Sequence, residues 1–128
     1  MTATNFSFAL HGGAGARAGR DYSVAEDHMR ALAHDARTRL STGGNALDVV
    51  EYAVAEMETS GLYVAGRGSA PNSAGYVELD ASIMNGAIST AGSVACIRDV
   101  VNPVSVARRV MEATPHVMLS GNLSLIHI

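Results

Sequence analysis

Residues 76–97 read Tyr-Val-Glu-Leu-Asp-Ala-Ser-Ile-Met-Asn-Gly-Ala-Ile-Ser-Thr-Ala-Gly-Ser-Val-Ala-Cys-Ile. The first half alternates, with Val77, Leu79, Ala81 and Ile83 on one side and Glu78, Asp80 and Ser82 on the other. Successive side chains of a strand point to opposite faces, so this pattern predicts a strand covered on one face. Asn85-Gly86 is a strong signal for a hairpin turn. Residues 88–97 then form the returning strand, broken at Gly92. The apolar run Val94-Ala95-Cys96-Ile97 makes Cys96 a small buried hydrophobe. An antiparallel hairpin therefore sits inside the chain, and its flanks decide what covers it.

Upstream, the spacing predicts two helices. Ser23-Val24-Ala25-Glu26 fits a capping box. Ala25, Met29, Leu32, Ala36 and Leu40 recur at three and four residues, one face of a helix that Gly43 and Gly44 end. Asn45 caps a second helix with Asp48 in its first turn, and Val50, Ala53, Val54 and Met57 form its buried face. Residues 60–72, with three glycines and Pro71, predict an ordered loop rather than a linker. Downstream, Asn102 as cap and Pro103 at the first helical position open a third helix with Ala107, Val110 and Met111 inward; Pro115 stops it, and a strand starts at His116. At the other end, Phe6-Ser7-Phe8-Ala9-Leu10 reads as a strand running into the glycine-rich turn at His11-Gly12-Gly13. The order strand, two helices, hairpin, helix, strand predicts an α/β or α+β fold with helices layered on a sheet.

Composition narrows the function. Nine basic residues, all arginine, against twelve acidic ones give a net charge of −3, which argues against a nucleic-acid partner. The lack of lysine excludes a P-loop lysine and a Schiff-base lysine. One cysteine excludes an intramolecular disulfide and a cysteine-based zinc site. No apolar run approaches the ~18 residues of a membrane span, and the first ten residues lack the charged start of a signal peptide. A cytoplasmic chain with no membrane partner is expected.

Among chemical signals, residues 13–18 match the dinucleotide pattern G-x-G-x-x-A, and the acidic Asp35 lies about twenty residues on. That reading needs a second strand ending at the acid, where residues 23–40 read as one helix. His11-Gly12-Gly13 is also similar to an α/β-hydrolase oxyanion loop, but no G-x-S-x-G elbow follows. Two readings of the turn stay open: glycines that only supply positive φ, or bare N–H groups near a reacting group. His28 and His34, six apart on one helix, form no metal-binding pair. Glu78 and Asp80 read as a solvated face or as partners for arginine rather than as an acid–base pair. Arg108-Arg109 reads as helix surface.

Four segments occur together and in order: His11-Gly12-Gly13-Ala14-Gly15; Asn45-Ala46-Leu47-Asp48-Val49-Val50-Glu51; Ala65-Gly66-Arg67-Gly68-Ser69 with residues 77–86; and Asn102-Pro103 through Ala107-Arg108 to residues 110–117. In these the chain resembles, over residues 8–119, the plant-type L-asparaginase/isoaspartyl peptidase family of N-terminal-nucleophile hydrolases. The resemblance implies an αββα sandwich made as one precursor, of which this chain is the incomplete N-terminal part. Self-cleavage of the precursor exposes a threonine. That threonine attacks asparagine, a small-molecule substrate, or the β-peptide bond of an isoaspartyl dipeptide. Its own α-amine, titrating near 8, serves as base. The nucleophile is expected beyond Ile128, so no catalytic residue is expected in this chain and the fragment is expected to be inactive.

The resemblance further implies that His11, Gly12 and Gly13 support self-cleavage, Gly12 by changing backbone conformation. It implies a structural sodium held by the main-chain carbonyls of Met57, Glu58, Ser60, Tyr63, Ala65 and Arg67, and no organic cofactor. The implied partners are a second subunit from the same precursor and a second processed protomer. The chain departs from the family at Val64, where an asparagine that aids processing is usual, and at Met57, Gly61, Tyr63 and Asn85, where Leu, Pro, Phe and Asp are frequent. Two competing readings follow: a related threonine amidase acting on glycosylasparagine or a protein cleavage site, and an unprocessed scaffold, favoured by Val64. The expected organisation is a partial domain over residues 1–122 and an artefactual tail over 123–128, because the last six residues, LSLIHI, resemble a translated sequencing adapter.

Overall fold

The computed structural model describes residues 5–121. The tail read at 123–128 lies outside them. The elements are α1 (Ser23–Ser41), α2 (Ala46–Ser60), a 3-10 turn (Gly66–Gly68), β1 (Leu79–Asn85), β2 (Thr90–Ile97), α3 (Pro103–Ala113) and β3 (Met118–Ser120). The chain is mixed α/β. β2 is the central strand of three, antiparallel to β1 and parallel to β3, so β2–α3–β3 forms a crossover unit. No described helix is long and apolar enough to cross a membrane.

The alternation read in β1 is the alternation seen: Leu79 and Ile83 are buried, and Asp80, Ser82 and Met84 are exposed. α3 lies on that inner face, and Leu79, Ile83, Val94, Ile97, Val104, Ala107 and Val110 make one core with it. Each large aliphatic there contributes about 1.5–3 kcal/mol on burial. α2 packs against both α3 and α1. A second cluster, Leu32, Ala53, Met57 and Tyr63, fills the seam between α1 and α2; a third, Ala36, Leu40 and Val49, continues it.

Several expectations are corrected. Residues 6–10 form no strand, because no described strand lies beside them to complete a ladder; Phe8 and Leu10 pack instead on the α1–α2 clusters. Ser23 makes no capping box: the Asp21 carboxylate accepts its N–H at 2.8 Å, and Glu26 turns outward to Arg30 at 3.1 Å. Val49, not Val50, is the buried valine of the first turns of α2. The hairpin is wider than Asn85-Gly86, since Asn85 pairs with Thr90 and four residues connect them. Asn85 still shapes the turn, its side-chain oxygen accepting the Ala87 N–H at 3.1 Å.

Gly92 does not break β2. A Cβ there would run into the Ala107 carbonyl and lie 2.6 Å from the Met111 nitrogen, so the missing side chain is what lets α3 cross the sheet this closely. Cys96 is exposed, not buried. The β1–β2 register shifts between Leu79 and Ala81, and Cys96 takes a φ of +52° while its N–H donates to Asp80 Oδ1 at 2.7 Å. This bulge inserts one residue, so the inward position passes from 96 to Ile97. The strand expected from His116 begins at Met118.

Candidate functional site

The 57–68 segment leaves α2 through Gly61, which sits at φ +72°, and folds back along the helix. The Ser60 hydroxyl donates to the Met57 carbonyl at 2.8 Å and accepts the Leu62 N–H at 3.2 Å, stitching the exit. Gly66 is buried at φ +51°, and a Cβ there would lie 2.5 Å from the Glu58 carbonyl oxygen. At Gly68 a Cβ would collide with the Tyr63 carbonyl oxygen. The two glycines thus allow the loop to wind with those carbonyls against its own backbone.

Tyr63 is the anchor of the loop. It is 7% exposed between Leu62 at 41% and Val64 at 83%. Its hydroxyl meets the Ala25 carbonyl and His28 Nδ1, each at 3.0 Å. A carbonyl can only accept, so the single phenolic proton goes to Ala25 and His28 Nδ1 carries the hydrogen of the other bond. Burial holds the phenol above its usual titration range.

The glycine turn meets the same ring. A Cβ on Gly12 would lie 3.0 Å from Met29 Sδ and 3.4 Å from Tyr63 Cε1. Gly13 is at φ +108°, and its N–H donates to His11 Nδ1 at 3.2 Å. All four residues expected to support processing, His11, Gly12, Gly13 and Val64, are exposed; Gly12 is the one of the turn that comes beside Tyr63 of the loop. Of the described threonines, Thr38, Thr42 and Thr114 donate to helix carbonyls, Thr59 accepts from Asn102, and Thr90 lies exposed at the start of β2.

The largest feature absent from the sequence reading is the Glu58 side chain. It is 2% exposed, at the end of α2, and its Oε1 accepts the Val104 N–H at 3.1 Å. It thereby caps α3, the task expected of Asn102. The Asn102 amide instead reaches back to α2, donating to the Ala55 carbonyl at 2.9 Å and Thr59 Oγ1 at 3.0 Å. Burial pushes the Glu58 carboxyl up to about 7, opposed by the hydrogen bonds from Val104 and Asn102. Arg108 is a second omission. It is a half-buried hub on Asp48 and Glu51 of α2, both at 2.6 Å, and on Glu112 at 2.8 Å, while Arg109 stays exposed as read. Glu78 pairs with Arg98 at 2.9 Å, as its reading as a partner for arginine has it.

Among the described residues no three His, Cys, Asp or Glu side chains gather as a metal centre. The carbonyl set read at 57–67 is of another kind, neutral hard oxygens suited to an alkali cation. Of that set, the Glu58 carbonyl lies against Gly66 and the Tyr63 carbonyl against Gly68.

Comparison with known proteins gives this geometry its setting. A family model described as asparaginase matches residues 4–124. The isoaspartyl peptidase/L-asparaginase of Rattus norvegicus is 43% identical over 114 residues, covering 88% of this chain and 34% of the rat protein. The plant-type L-asparaginase of Thermococcus kodakarensis is 46% identical over 114 residues, 88% of this chain and 37% of its own. That of Pyrococcus furiosus is 43% identical over 118 residues, again 88% of this chain and 37% of its own. The chain spans about a third of the length of these curated relatives. With the match running through the glycine turn, the carbonyl loop, the hairpin and α3 alike, the chain belongs to the asparaginase family that includes the isoaspartyl peptidases and plant-type L-asparaginases.

Proposed function

We propose that this chain is the first-subunit portion of an amidohydrolase of the N-terminal-nucleophile type. The intact enzyme hydrolyses L-asparagine to aspartate and ammonia and cleaves isoaspartyl dipeptides. Its nucleophile is a threonine freed by self-cleavage, outside this chain. The threonine hydroxyl attacks the side-chain carbonyl, its proton passes through the α-amine to the leaving nitrogen, and water releases aspartate from the acyl-enzyme. The role of this chain is support. The 11–13 turn lies beside the cleavage point, and the carbonyls of Met57, Glu58, Ser60, Tyr63, Ala65 and Arg67 hold a sodium ion that stiffens the loop. In the intact protein the exposed face of the sheet is covered by a second sheet, giving an αββα sandwich, and two processed protomers associate.

The observation that carries this reading is identity of 43% and 46% to two such relatives over 88% of this chain, which spans only about a third of their length. The test is ammonia release from asparagine by the purified 128-residue chain. None is expected, and turnover would overturn the assignment of the chain to a supporting role.

A second reading, an unprocessed scaffold, draws on Val64, an exposed valine where a polar group is usual. The full-length protein discriminates. Self-cleavage of the wild type to two bands on a gel excludes the scaffold. Cleavage that appears only after Val64→Asn supports it.

A further inference from the structure

We propose that Tyr63 is a positioning residue that ties the backbone of the 11–13 turn to the 57–67 loop, with α1 as the fixed support. The consequence for self-cleavage rests on the function proposed above; the physical link does not. Tyr63 is drawn inward while its neighbours Leu62 and Val64 stay exposed, so its side chain is what anchors this stretch of the loop. Two kinds of contact hold it there. The hydroxyl fixes how far the ring reaches, because it bonds both the Ala25 carbonyl and His28 on α1. The edge of the ring then stands beside Gly12, at van der Waals reach of the point where a Cβ would lie, 3.4 Å from Cε1 and 3.5 Å from Cδ1. Met29, also from α1, is the other neighbour, its Sδ 3.0 Å from where a Gly12 Cβ would lie, and the rest of Gly12 is open to solvent. A change of backbone conformation at Gly12 therefore takes place beside the Tyr63 ring and the Met29 sulfur and alters the contact with both. The ring is not free to move while its hydroxyl is bonded. Phenylalanine would keep the packing and lose the stop, so the phenolic oxygen carries the linkage and the ring transmits it.

The test compares wild type, Tyr63→Phe and Tyr63→Leu in the full-length protein with glycine labelled at Cα. In the wild type the ring current of Tyr63 separates the two Gly12 α-proton resonances. The separation is expected to collapse in Tyr63→Leu. It is expected to shrink in Tyr63→Phe, with the Gly66 and Gly68 resonances moving alongside. Gly12 resonances unchanged in both variants overturn the proposal; if Tyr63→Leu does not fold, Tyr63→Phe decides alone. In parallel, self-cleavage is timed at a temperature where all three remain folded by circular dichroism. Slowing of about threefold in Tyr63→Phe and about tenfold in Tyr63→Leu is expected from loss of one hydrogen bond and then of the packing. A merely structural role would lower the melting temperature and leave the rate per folded molecule unchanged, which also overturns the proposal. A wild type that never cleaves refutes the proposed function instead, and the Gly12 resonances then decide the linkage.

Discussion

Glu58 joins three parts of the molecule: its carboxyl caps α3, its backbone ends α2, and its carbonyl faces Gly66 of the loop. The consequence for stability has a definite sign. Unfolded, the carboxyl titrates near 4.5; folded, it holds its proton up to about 7. Between those values the folded chain binds more protons, so stability falls as pH rises. The stabilisation from protonated Glu58 is complete below about 4.5 and gone above about 7. Denaturant titrations of the wild type across that window should lose up to about 3 kcal/mol, and Glu58→Gln should flatten the profile. Gly92 offers a second test at this scale. Gly92→Ala pushes a methyl into the α3 backbone at Ala107 and Met111, which cannot swing aside as a side chain could. A loss of roughly 3 kcal/mol or more in thermal unfolding is expected. Neither role was legible in the sequence. A glutamate at the end of a helix looks solvated until another helix terminus is brought to it. A glycine in a strand looks like a break until something crosses it.

At the scale of elements the sequence was most informative where one face of an element is simply wet and the other dry. β1 and the inner positions Ala107 and Val110 of α3 follow their periodicity, because a two- or 3.6-residue repeat needs no knowledge of partners. Periodicity failed where a partner sets the outcome. Residues 6–10 have strand-like composition but no described neighbour to pair with, and the extra residue at Cys96 reverses the facing of everything after it in β2. The joint between α2 and α3 was equally hidden, since Arg108 reads as surface until Asp48 and Glu51 face it. Arg108→Ala should cost about 1–3 kcal/mol in chemical denaturation, for it leaves two α2 carboxylates without their cation in a half-buried site. Arg109→Ala, on the exposed side of the same helix, should stay within about 0.5 kcal/mol.

For the whole molecule, the sheet is covered by α3 on one face, while Asp80, Ser82 and Met84 of β1 lie open on the other. Around the hairpin tip and the start of β3, Met84, Ile88, Val117 and Met118 are each more than half exposed. Apolar groups at that density favour association. Light scattering of the purified 128-residue chain should report particles larger than one chain, growing with concentration; a strictly monomeric solution would contradict this. The supporting site was readable only through the co-occurrence of its segments. No spacing in the sequence brings Gly12 to Tyr63, because fifty residues and two helices intervene and the meeting depends on how α1 and α2 pack.

The outward turn of Cys96 has a practical corollary. It is the sole sulfhydryl in the sequence, and it stands in open solvent where β1 and β2 part from regular pairing. A maleimide dye would therefore attach at one address without engineering. A dye attached there would brighten or dim as anything came to rest on that end of the hairpin, so a fluorimeter could follow the arrival of whatever covers it.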